Sequence, residues 1–193
     1  MCRGSLIVLT VLIAFPQITA ARVPLERVDE WDKAYDAWFR KYAKRYFGPN
    51  FDWRWFKSQG IAESGLDPDA TSKAGARGLM QIMPNTLKEI RKQNAHFHAT
   101  NDPRWNIAAG IYYDRQLYNK WKTPPAGTER LLFSFGSYNA GYGNIVKAFK
   151  QAPDNSGSWH KIRRYVPPQT RHYVSRIQNL MSTTPEPGVS SEQ

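Results

Sequence analysis

Three carboxylates lie close together in "GIAESGLDPDA", Gly60 to Ala70: Glu63, Asp67 and Asp69. Neighbouring carboxylates are candidates for general acid–base work, one as proton donor and one as base. The three are not equivalent here. Asp67 and Asp69 sit around Pro68, after Gly65, where short acidic side chains bond nearby backbone, so loop and capping roles suit them. Glu63 ends a segment carrying Trp53, Trp55, Phe56 and Ile61. Taken alone, such a glutamate reads as a solvated surface residue. Other chemistries are poorly supplied. His96 and His98 are two apart in a polar connector and His160 and His172 are isolated, which fits surface or capping roles better than metal ligation. No HExxH, GxSxG or P-loop pattern is present. Cys2 is the single cysteine.

Helices must position these residues. Large apolar residues in Leu25 to Phe47 recur at Trp31, Tyr35, Trp38, Phe39, Tyr42 and Tyr46, with charges opposite. That spacing predicts an amphipathic helix packed on the core and broken at Gly48, Pro49 and Asn50. "FDWRWFKSQGIAES" predicts a second helix, with Asn50 or Asp52 as N-cap and Gly60 as a point of close backbone packing. Residues 65–78 hold Gly65, Pro68, Gly75 and Gly78 and read as a loop; a small antiparallel hairpin within 65–80 is compatible with the same residues. "PNTLKEIRKQN" starts a helix at Pro84, and Trp105 to Trp121 forms another with Ile107, Ile111, Leu117 and Trp121 on its apolar side. Further helices are expected in "ERLLFSFGSYN", capped by Thr128, in "NIVKAFKQA", in "WHKIRRYV", and in "TRHYVSRIQNLM", capped by Thr170. No long alternating pattern and no repeat occurs, so the fold class is mainly α.

The ends of the chain differ from this core. Arg3 precedes the uncharged run Leu6 to Phe15, and small residues follow at Ala20 and Ala21. This is the pattern of a signal peptide over 1–21, too short for a span of ~20 apolar residues. An exported, periplasmic or cell-envelope protein with no stable membrane insertion after cleavage is expected. Its mature part, without Cys2, holds no disulfide. Residues 182–193 are polar, without apolar period, and read as a disordered tail. The formal charge is +11 at pH 7, of which the signal removes only Arg3. Such charge favours an acidic partner. An exported protein rarely meets nucleic acid, so anionic lipid or an anionic wall polymer is the expected class.

Five stretches, in order, carry a family resemblance: "ES" at Glu63–Ser64, "DATSKAGARGLMQIMP" at Asp69–Pro84, "NIAAGIYYDRQL" at Asn106–Leu117, "SYNAG" at Ser137–Gly141 and "QTRHYV" at Gln169–Val174. Together they resemble the lytic transglycosylases of the soluble-lytic-transglycosylase type, which share a goose-type lysozyme-like helical domain. The resemblance covers nearly the whole core and implies a catalytic domain over 51–181, preceded by the helix within 22–50. Ser137 stands where Ala is usual and Gln169 where Glu is usual.

The resemblance implies cleavage of the β-1,4 bond from N-acetylmuramic acid to N-acetylglucosamine in peptidoglycan glycan strands, leaving a 1,6-anhydro end. It implies no metal and no organic cofactor. Glu63 would act first as acid and then as base, which calls for a carboxyl kept protonated by an apolar pocket. Ser72 would contact the muramic acetamido group, and Gln81 would hydrogen-bond sugar. Met80 and Met83 would line the groove, plain core packing being the even alternative. Tyr138 and Asn139 would shape the site near the cut bond, and Tyr173 would orient Glu63. Gly75 and Gly78 would let the chain approach the sugar closely. Small exported enzymes of this type serve envelope-spanning machines, so such a machine is an expected partner. The sequence leaves three rivals open. One is a goose-type lysozyme-like muramidase that hydrolyses the same bond. The others are a non-catalytic wall-binding module and a basic membrane- or nucleic-acid-binding protein using the Leu25–Phe47 helix.

Overall fold

The computed structural model describes residues 28–97, 100–124, 126–153 and 157–182. The expected signal segment 1–21, His98 and residues 183–193 lie outside the described residues. Within them are eight α-helices, two 3-10 turns (Val28–Glu30 and Arg163–Tyr165) and no named strand.

The first helix, α1 (Asp36–Phe47), is shorter than its apolar spacing predicts. Trp31 lies before it, in a turn where the Asp32 carboxylate accepts from the Ala34 amide at 2.9 Å. Tertiary contacts hold Trp31 there. Its carbonyl accepts from Lys57 Nζ at 3.3 Å, and Lys57, buried, also pairs with Asp36 at 2.8 Å. Of the predicted stripe, Phe39 and Tyr42 are buried on α1, joined by Ala43, while Trp38 and Tyr46 pack half-buried against the core.

α2 (Arg54–Ser64) starts beside Asp52, whose carboxylate accepts from the Arg54 amide at 3.0 Å. It ends at Gly65, left-handed at φ 66°, whose amide bonds the Ile61 carbonyl. A Cβ on Gly60 would stand 3.1 Å from both Leu66 and Phe39, so the close packing expected at Gly60 is present. The loop over 65–82 contains two isolated antiparallel bridges, Thr71 to Arg77 and Arg77 to Ile82, so the possible hairpin is reduced to these.

α3 (Pro84–Gln93) begins with proline, and α4 (Pro103–Lys120) is capped by Asp102 accepting from Arg104. α5 (Thr128–Ala140) buries every residue from Leu131 to Ser137. A helix apolar all round belongs in the centre, and α5 packs against α4, α6 (Tyr142–Gln151), α7 (Trp159–Ile162) and α8 (Pro168–Ser182). α1 lies on α4, and α2 lies on α8.

Two expected caps are corrected. Thr128 is the first residue of α5 and makes no capping bond; Gly127 precedes it. Thr170 lies inside α8, which begins at Pro168, and its buried hydroxyl donates to Asn139 at 2.8 Å. The helix expected in "WHKIRRYV" divides into α7 and the 3-10 turn that follows it. Ser182 still belongs to α8, one residue into the expected tail.

Candidate active site

Glu63 occupies the last turn of α2, where the packing of α2 on α8 brings it to Tyr173. The Tyr173 hydroxyl donates to Glu63 Oε1 at 2.6 Å, joining positions far apart in the chain. Burial pushes the Glu63 carboxyl up from its ordinary 4.5 to about 7, with the Tyr173 bond pulling against that rise. A carboxyl poised there holds its proton near neutrality and releases it without a large cost. Burial, and next the nearby Glu63 charge, hold the hydroxyls of Tyr173 and Tyr138 well above their ordinary value, so both remain donors.

The loop after α2 is clasped to the helices around Glu63. Ser64 Oγ donates to the Leu79 carbonyl at 2.9 Å. The Met80 amide donates to Asn106 Oδ1 at 2.8 Å, from α4. The Met80 carbonyl accepts from Tyr138, on α5, at 2.7 Å. Asn106 also donates to the Arg77 and Thr100 carbonyls. Gly78, at φ 73°, lies against this same amide: a Cβ there would stand 2.5 Å from Asn106 Nδ2. The close approach that demands glycine at 78 is therefore to Asn106.

The residues singled out by sequence divide into two groups. Glu63, Tyr138 and Tyr173 act on one another electrostatically, and Asn139 joins α5 to α8 through Thr170. Met83, at the start of α3, is 40% exposed and free to meet a ligand. Met80 is corrected: its side chain is fully buried and fills the space beside Gly110 and Gly60, so it is core and lines no open groove. Gln81 takes φ 42°, and its amide nitrogen is engaged by the Ala70 and Gly78 carbonyls, leaving Oε1 to accept. Ser72 Oγ accepts from the Ala76 amide within its own loop, which leaves its hydrogen to donate. Asp67 accepts from the Asp69 amide at 2.9 Å, the loop role expected of it. Among the described residues no cluster of His, Cys, Asp and Glu is arranged to hold a metal ion.

Sequence reasoning missed Asp114. It lies on the apolar stripe of α4, one turn after Ile111, and is fully buried. A charged residue on that stripe was the available signal. Ser137, the departure from the usual Ala, has a use: its hydroxyl accepts from the Trp121 indole at 3.0 Å and donates to the Phe133 carbonyl.

Comparison with known proteins identifies the family and the fold. The family model "Transglycosylase SLT domain" matches residues 41–160. A membrane-bound lytic murein transglycosylase F of Shewanella woodyi is 29% identical over 174 residues, covering 78% of this chain and 35% of its own length. That of Salmonella arizonae is 30% identical over 146 residues, covering 74% and 26%. This chain thus spans about a third or less of these curated relatives. The crystal structure of the 70 kDa soluble lytic transglycosylase of Escherichia coli aligns at TM-score 0.64 and 25% identity, over 78% of this chain and 24% of that one. An inactive glutamate-to-glutamine mutant of the lytic transglycosylase Slt of Pseudomonas aeruginosa aligns at TM-score 0.65 and 25% identity, over 76% and 23%.

Proposed function

The chain belongs to the transglycosylase SLT domain family, and on that premise we propose that it is a peptidoglycan lytic transglycosylase with Glu63 as its single acid and base. The observation that carries the reading is the half-buried Glu63 carboxyl, held by Tyr173 at 2.6 Å and poised at about 7 by its partial desolvation. Protonated Glu63 gives its proton to the glycosidic oxygen as the bond from muramic C1 breaks, and N-acetylglucosamine leaves with a free hydroxyl. The muramic C6 hydroxyl then attacks C1 and its proton passes to the Glu63 carboxylate. The ring closes as a 1,6-anhydro end, no water is consumed and the acid is restored. The substrate's own acetamido group supports the cationic centre, so the reaction needs no second carboxylate. Tyr173 keeps the carboxyl aimed while its charge comes and goes.

Ser72, through its unspent hydrogen, and Gln81, through Oε1, are the polar groups assigned to the sugar, and Met83 supplies apolar contact. Tyr138 and Asn139 are assigned to the walls beside the cut bond. The reading includes export to the periplasm or cell envelope. Its support is the apolar run Leu6 to Phe15 behind Arg3, together with the words "membrane-bound" in the names of the relatives. An envelope-spanning machine as partner rests on the sequence resemblance alone. The test is the mass of muropeptides released from purified sacculi. Ends lighter by one water are expected, and Glu63→Gln should abolish release. Hydrolysed reducing ends would make the protein a muramidase instead, and unchanged release by Glu63→Gln would overturn the assignment of Glu63.

A further inference from the structure

Asp114 is a second carboxyl group behind Glu63, and the proposed reaction does not use it. It projects from α4 into the core and is fully buried. Gln59 Nε2 donates to Asp114 Oδ1 at 3.3 Å. Two atoms of this pair, Gln59 Oε1 and Asp114 Oδ2, are buried with no partner. Both are acceptors if Asp114 is a carboxylate, and a buried carboxylate so placed would be costly. The groups that act on Asp114, or that it acts on, are Glu63 on α2, Tyr113 on its own helix, Tyr138 on α5 and Tyr173 on α8; Glu89 on α3 acts on Tyr113. All are acids, and no cation acts on Asp114. The 3.3 Å length also exceeds the ~2.7–2.9 Å of charge-assisted bonds.

We propose that Asp114 carries a proton on Oδ2 throughout turnover and, in that neutral form, pairs with Gln59 as the positioning element for Glu63. One proton supplies the donor that the two orphan acceptors lack. Burial foremost, and the Glu63 charge in addition, hold the Asp114 carboxyl well above its ordinary range, the same direction as the neutral form that the two orphan acceptors call for. Gln59 and Glu63 are four residues apart on one face of α2. Fixing the Gln59 amide therefore fixes the turn that carries the acid. Neutrality matters as much as anchoring: a charged Asp114 would repel the Glu63 carboxylate and push the acid far above its working value.

This inference rests on the catalytic reading of Glu63, and its first test does not depend on activity. Infrared spectra of the wild-type chain at pH 8, where Glu63 is ionised, should retain a protonated-carboxyl stretch that Asp114→Asn removes. Absence of that band overturns the proposal whatever the fate of the transglycosylase assignment. The second test is the pH profile of kcat/KM. Asp114→Asn keeps a donor and an acceptor for Gln59, so it should retain kcat within about threefold with its alkaline limb unmoved. If Asp114 were a carboxylate, removing its charge would shift that limb to lower pH, and this result would sink the idea. Asp114→Leu leaves the Gln59 amide unpaired and should lower kcat about tenfold or more with little change in KM; full kcat would refute the positioning role. Should the leucine variant not fold, the infrared band and the asparagine pH profile decide.

Discussion

Replacing Glu63 with glutamine removes one ionisable group while leaving an oxygen for the Tyr173 hydroxyl. The consequence for stability follows from the raised carboxyl. In the unfolded chain Glu63 ionises near 4.5, and in the folded chain near 7. Between these values the folded state holds a proton that the unfolded state has released. Stability from this group is therefore fully present below about 4.5, lost as pH rises through 7, and constant beyond. The separation is worth about 1.4 kcal/mol per unit, so the full loss is about 3 kcal/mol. Glutamine does not titrate. The stability difference between Glu63→Gln and wild type should thus grow by about 3 kcal/mol from pH 4 to pH 8, in favour of glutamine. For a chain of this size that is roughly 6–12 °C in Tm. Paired thermal melts of the two proteins at both pH values measure it, and the other titrating groups cancel in the difference. A gap that stays constant with pH would mean that Glu63 is solvated, as its sequence position alone implies. A gap that shrinks would mean that a cation pairs with it. Either result refutes the reasoning from burial.

Two further outcomes are expected. The Tyr173 bond favours the ionised form of Glu63, so Tyr173→Phe should raise the acid's value and move the alkaline limb of kcat/KM to higher pH; a limb moving down would contradict the hydrogen bond. Gly78→Ala combines a left-handed φ of 73° with a clash 2.5 Å from Asn106, and should lower stability by about 3 kcal/mol or more, read from urea midpoints.

Helix positions were legible in the sequence wherever one face was apolar. The stripe Ile107, Ile111 and Leu117 in α4 is buried in the core, and Pro84 starts α3. Failures came where a long-range contact outweighed a local signal. Trp31 has the helical spacing of its neighbours, yet the Lys57 ammonium and the turn at Asp32 hold it outside α1. Thr170 looks like a cap, but its hydroxyl serves Asn139 on another helix. The candidate acid was visible as a motif, whereas its poise was not, because burial of Glu63 depends on α8 packing over α2. Asp114 was readable in principle, since an acid on an apolar stripe must be neutral, paired or misplaced. Its partner Gln59 was hidden because no spacing rule links α2 to α4.

The motif residues also divide in a way their resemblance does not imply. Leu79 and Met80 are held at three backbone atoms, by Ser64 from α2, Asn106 from α4 and Tyr138 from α5. These side chains consume their bonding capacity on loop backbone, and Gln81 spends its donor there too. Tyr138 cannot both give its only hydrogen to Met80 and donate it to a sugar. In the proposed function, Tyr138 would therefore act beside the cut bond through its ring, its oxygen as an acceptor and the position it enforces. Capacity left over for a ligand sits on few atoms of these motif residues: the Ser72 hydrogen, Gln81 Oε1 and the exposed Met83 side chain. A site of this kind gains its selectivity from a rigid loop pinned against one acid, since a loop tied to three helices cannot shift without moving the turn that carries Glu63.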